Sequence, residues 1–131
     1  MITPAAALRT AAYHGSIAEV RKLLLEGVDP NVADQWGRTA LSLAAGEGHS
    51  LVVETLLADG AWPEPHEDYD TYDTPLMVAA SKGHLEIVKK LVEAGANPAF
   101  HSGRSQRTAE NYARTEGHPE VANYLSTLQR T

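Results

Sequence analysis

The sequence predicts an all-α solenoid of about four stacked helix–turn–helix units, and three observations predict it. Landmarks recur at a spacing near 33 residues: Leu41 answers Leu8 and Leu76, Gly48 answers Gly15, Gly83 and Gly117, and Gly60 answers Gly27 and Gly95. Each period reads as a turn and two short apolar stretches at helical spacing, separated by glycine. Neither stretch is long enough to bury its apolar face alone, so each unit needs copies of itself as neighbours.

The clearest unit runs from Asp34 to Ala61. Thr39 offers a side-chain oxygen to cap a helix carrying Ala40, Leu41, Leu43, Ala44 and Ala45, and Gly46-Glu47-Gly48-His49 breaks it. A second helix with Leu51, Val52, Val53, Leu56 and Leu57 ends at Gly60, where a left-handed backbone is accessible. Other units open in the same way, at Thr3-Pro4, Thr74-Pro75 and Thr108-Ala109, with threonine as cap and proline suited to the first helical position. The first unit predicts helices near Pro4 to Tyr13 and Ile17 to Glu26, with Ala5, Ala6 and Arg9 softening the uncovered outer face. In the last unit Glu110 stands where Leu8, Leu41 and Leu76 stand elsewhere. A buried carboxylate would be costly, so this position is expected to be open to water. Helices near Ala109 to Thr115 and Pro119 to Leu128 close the chain, with Val121, Tyr124, Leu125 and Leu128 facing inward.

The stretches GRTALSLAAGEGH and DTPLMVAASKGH follow the pattern G-x-T-P-L-H-x-A-A-x-x-G-H, and His49, His84 and His118 each directly follow the recurring glycine. A period near 33 with this content resembles the ankyrin repeat, and the resemblance covers nearly the whole chain. It implies a single domain over 1–131, with repeats at about 3–33, 34–66, 67–100 and 101–131, the first and last being degenerate caps. It also implies hairpin fingers that project from the helices and line a concave groove with the first helix of each unit. The function it implies is protein–protein recognition without chemistry. By matching positions, the groove-facing residues are Tyr13, Gln35, Trp36, Arg38, Leu43, Glu47, Asp70, Thr71, Asp73, Val78, Lys82, Arg107 and Tyr112.

Composition narrows the partner. The net charge of −6 argues against nucleic acid, whose phosphates need a basic face. There is no cysteine, so disulfides and thiolate zinc sites are excluded. Residues 1–10 lack a basic start and a long apolar run, and no stretch is long enough to span a membrane. A cytoplasmic, monomeric domain is the expectation.

The connection after Gly60 departs from the pattern. From Gly27 to Thr39 is 12 positions, and from Gly60 to Thr74 is 14, so the segment WPEPHEDYDTYD carries two extra residues. Glu64, Glu67, Asp68, Asp70 and Asp73 cluster here beside Trp62, Tyr69 and Tyr72. One-sign charge with aromatic area suits a dock for a partner with a basic patch, which adds Glu67, Asp68, Tyr69 and Tyr72 to the candidate set. The alternative is a solvated loop with a tolerated insertion. Calcium fits poorly, because Asp68, Asp70 and Asp73 lack the spaced glycine and closing glutamate of a helix-loop-helix site. Trp36 reads as a binding anchor; Trp62, between Gly60-Ala61 and Pro63, reads as packing beneath the longer finger.

The recurring histidines lie on successive units and cannot converge on one ion, so hydrogen bonding in the inter-helix turn is their expected role. His66 beside Glu67 and Asp68 has nothing to fix metal geometry. Catalytic motifs are missing: there is no G-x-S-x-G elbow, phosphate-binding glycine loop or H-E-x-x-H pair. No enzyme, metal or cofactor is expected. Two further readings stay open. One is a small stand-alone inhibitor or immunity-type protein, suggested by a chain that starts at Met1 with one domain. The other is a self-assembly unit, against which the polar ends argue.

Overall fold

A computed structural model describes residues 2–64, 73–101 and 106–128. The described residues form eight helices and no strand: α1 (Pro4–His14), α2 (Ile17–Leu25), α3 (Ala40–Glu47), α4 (Ser50–Ala58), α5 (Pro75–Lys82), α6 (Leu85–Glu93), α7 (Ala109–Thr115) and α8 (Pro119–Leu128). They pair as four successive helix–turn–helix units stacked into a solenoid, the architecture the resemblance implies.

The threonine caps form as the sequence predicts. Thr3, Thr39, Thr74 and Thr108 each accept the N–H of the residue three positions on, and Ser42 and Asn111 complete reciprocal capping boxes with Thr39 and Thr108. One register differs. Thr3 lies three residues further from its glycine than the other threonines do, so α1 has 11 residues where α3 and α5 have 8. The extra turn sits at the start of the first unit.

The stack has two layers of different texture. The first helices α1, α3, α5 and α7 pack side by side far more closely than the second helices α2, α4, α6 and α8 do. Small side chains permit this: Ala11, Ala12, Ala44, Ala45, Ala79, Ala80 and Ala113 are buried on the first helices. Val20, Leu23, Val52, Val53, Leu56, Ile87, Val88, Leu91, Val121 and Leu125 fill the space beneath the second helices.

The recurring glycines and histidines lock neighbouring units together. Gly15, Gly48 and Gly83 end their helices with φ of 72°, 81° and 77°, a conformation that favours glycine. Against each stands the histidine ring of the next unit, His49, His84 and His118; a methyl group in place of hydrogen would collide with it at Gly15 and Gly83 and be tight against it at Gly48. His49 Nε2 lies 2.9 Å from the Tyr13 carbonyl and His84 Nε2 lies 3.2 Å from that of Gly46. The expected hydrogen-bonding role is therefore corrected in one respect: these bonds run to the preceding unit rather than within the turn.

Glu110 corrects a second expectation. Its side chain keeps only 19% of its exposure and pairs with Arg114 Nε at 3.2 Å, one helical turn on. The carboxylate is half-buried and paired, not open to water. Val121 and Leu125 are buried as expected, and Tyr124 and Leu128 are partly buried against the same core.

Candidate partner-binding face

The first finger is held by one carboxylate. Asp34 Oδ1 accepts the backbone N–H groups of Trp36 and Arg38, each at 2.9 Å, and Oδ2 accepts Arg38 Nε at 2.9 Å. Partial burial works to raise the Asp34 pKa, but the backbone N–H of Arg38, its side chain and the Trp36 N–H outweigh it, holding the group below its ordinary value. The carboxylate stays charged at neutral pH and the turn stays closed. Above it the Arg38 guanidinium lies 4.8 Å from the centre of the Trp36 ring. Trp36 is nonetheless 55% exposed, which is unusual for so large an apolar group.

On the adjoining helices, Tyr13 and Leu43 line a cleft between α1 and α3 together with Arg9, Asp34 and Arg38. Tyr13 is 44% exposed and Leu43 is half-buried. Glu47 and Lys82 are exposed at the ends of α3 and α5. Val78 is half-buried, with a methyl against Gly46 of α3, so part of its surface serves packing. Gln35 is exposed on the finger.

The far end holds a second group. The Tyr112 hydroxyl donates to Asp73 Oδ1 at 2.9 Å, and the Arg107 guanidinium stands 5.5 Å from the Tyr112 ring centre. The structure thus brings Tyr13, Arg38 and Leu43 together at one end of the first-helix face, and Asp73, Arg107 and Tyr112 at the other. The candidates Glu67, Asp68, Tyr69, Asp70, Thr71 and Tyr72, and His66 with them, lie outside the described residues.

Flanking positions of the inserted segment play structural roles that sequence reasoning missed. Asn31 Oδ1 accepts the Trp62 N–H at 2.7 Å while Asn31 Nδ2 donates to the Gly60 carbonyl at 3.2 Å. Glu64, four residues after Gly60 as Asn31 is after Gly27, accepts the Asn97 N–H. The base of the first finger is thus stitched to the second unit, and that of the second to the third. The signal was present in the shared offset from glycine, but a carboxylate within an acidic run reads first as a surface charge. Trp62 is 42% exposed.

No three His, Asp or Glu side chains among the described residues converge as a metal site would require. No described helix is long and apolar enough to cross a membrane.

A stack of helix pairs that presents a rigid face of exposed aromatic and charged side chains is a repeat scaffold. The profile of ankyrin repeats (3 copies) matches residues 8–100 and 63–129, and the chain belongs to that family. Ankyrin repeats generally mediate protein–protein interaction, and the family is typically non-catalytic. Among curated relatives, the mitochondrial disaggregase of Bos taurus is 42% identical over 66 residues, 50% of this chain and 10% of that protein. The cyclin-dependent kinase 4 inhibitor B of Rattus norvegicus is 41% identical over 58 residues, 44% of each chain. An ankyrin repeat protein of Rickettsia felis is 52% identical over 47 residues, 36% of this chain and 75% of that one. The matched stretch therefore spans only a small part of the disaggregase and less than half of the inhibitor.

Proposed function

We propose that this chain is a non-catalytic recognition module that binds a partner protein through its first-helix face and fingers. The observation that carries this reading is Trp36, more than half exposed on a finger that Asp34 holds closed. A large aromatic side chain on a stiff support offers contact area without losing much freedom on binding. Tyr13 and Leu43 extend the apolar area along the cleft beside it.

The acidic segment 64–73 and the net charge of −6 favour a partner with a basic patch, recruited by electrostatic steering. We propose a cytoplasmic setting and a monomeric state before the partner binds. The similarity to a cyclin-dependent kinase 4 inhibitor supports a narrower version, in which binding occupies and blocks an enzyme.

The test is capture from an extract of the source cells, wild type against Trp36→Ala, followed by affinity and rate measurements on the captured partner. Trp36→Ala is expected to weaken binding by about 2 kcal/mol or more. Raising salt is expected to slow association far more than it speeds dissociation. The same proteins retained at the same strength by both forms would remove the first-helix face from the binding surface.

A further inference from the structure

Two arginines face the cleft between α1 and α3, and each is fastened along one edge only. Arg38 donates Nε to Asp34 and rests against Trp36, and Arg9 donates Nη1 to the Val32 carbonyl at 3.0 Å. Among the described residues the remaining N–H groups of both guanidiniums have no protein acceptor. The open cleft they share has a volume of about 410 Å³ and is walled on its apolar side by Tyr13 and Leu43.

A guanidinium fixed at one edge has already lost much of its rotamer freedom, so its open edge binds an oxyanion at a lower entropic cost than a free arginine would. The planar fork of N–H donors matches a carboxylate. The single carboxylate lining the cleft, Asp34, accepts three hydrogen bonds from its own finger and meets Arg38 through Nε, away from the open edge. A polyanion is disfavoured by the overall charge of −6, which leaves a lone anionic group beside apolar surface as the fitting ligand.

We infer that the α1–α3 cleft takes a carboxylate side chain, next to an apolar residue, from the bound protein segment. This rests on the first-helix face being the recognition surface, and it makes the partner bipolar. An acidic residue seats against Arg9 and Arg38, and a basic patch lies toward the segment 64–73. The first finger is then a selectivity element, because a neutral amide presents one acceptor oxygen and no charge where a carboxylate presents two oxygens and a full charge to the guanidiniums.

The experiment titrates the isotope-labelled protein with the acetylated dipeptide amide Ac-Leu-Glu-NH2 and with its neutral counterpart Ac-Leu-Gln-NH2, up to tens of millimolar. The glutamate peptide is expected to shift the side-chain Nε–H resonances of Arg9 and Arg38 and the amide of Leu43. The glutamine peptide is expected to bind on the order of tenfold more weakly. Arg38→Gln should reduce the difference between the peptides and Arg9→Gln with Arg38→Gln should abolish it, while Arg38→Lys, which keeps the charge without the fork, should retain only part of it. Equal shifts from both peptides, no shifts from either, or full displacement of the glutamate peptide by equimolar inorganic phosphate would each overturn the inference. If Trp36→Ala releases a captured partner while the glutamate peptide moves nothing, the recognition face stands and the carboxylate pocket falls. If the peptide binds while Trp36→Ala keeps its partner, the anion site is real but its assignment to the partner segment is overturned.

Discussion

Leu76 and Glu110 hold the same place in the third and fourth units, two positions after the capping threonine, and their fates differ. Leu76 is 2% exposed, beneath units on both sides. Glu110 lies on the fourth unit, the last among the described residues, and keeps 19% of its side-chain exposure beside Arg114. The local frame is the same in both: a threonine cap, a short helix and a glycine further on. What differs is the number of neighbours. In a solenoid, burial is decided by position in the stack, and a motif that is locally complete is only as stable as the units flanking it.

The largest test of this contrast is truncation at the two sites. Leu76→Ala removes a fully buried side chain from between units and is expected to destabilise the fold by about 2–5 kcal/mol. Glu110→Ala removes a half-exposed ion pair and is expected to cost less than about 1 kcal/mol. Denaturant melts of both variants check this. Similar losses would mean that the fourth unit is as tightly held as the third.

A finer test compares two glycines with nearly the same backbone. Gly83 and Gly117 have φ of 77° and 81°, but an added methyl at Gly83 would meet the His118 ring, while at Gly117 it meets nothing. Gly117→Ala carries the left-handed strain alone, about 1–2 kcal/mol. Gly83→Ala adds displacement of the ring and is expected to cost a further 1 kcal/mol or so. Equal losses would show that the histidine ring moves aside freely and does not lock the units.

The same contrast explains what could be read before the structure. Helices were legible because threonine, proline and glycine punctuate them locally: α7 and α8 run over the residues expected, and α1 and α2 differ by one residue at one end. The family and the first finger followed from positions that repeat in phase. Bonds between units were not legible, because a sequence shows which residues recur but not what they face. His49 reaching back to the Tyr13 carbonyl, Glu64 accepting the Asn97 N–H and Tyr112 donating to Asp73 all join residues 30 or more positions apart. The charge on Glu110 was read as a reason for exposure. Yet a carboxylate in the first turn of a helix is favoured by the helix dipole, and an arginine one turn on lets it be half-covered.

Glu110→Leu is the smallest change and the sharpest probe of the charge on the fourth unit. Leucine would regain part of the burial that Leu41 and Leu76 enjoy, against the loss of one ion pair worth a few tenths of a kcal/mol. The net gain in stability is therefore expected to stay below about 1 kcal/mol. Its second effect is on association. An apolar side chain at an uncovered end of a solenoid offers the surface that a further unit would cover. The variant is expected to self-associate with rising concentration, measured by sedimentation or light scattering, while the wild type does not. Association of the wild type at equal concentration would show that the charged end is no barrier, and would bring back self-assembly as a function. A variant that is more stable and still monomeric would place the barrier elsewhere on that end, with Arg114 the next residue to remove.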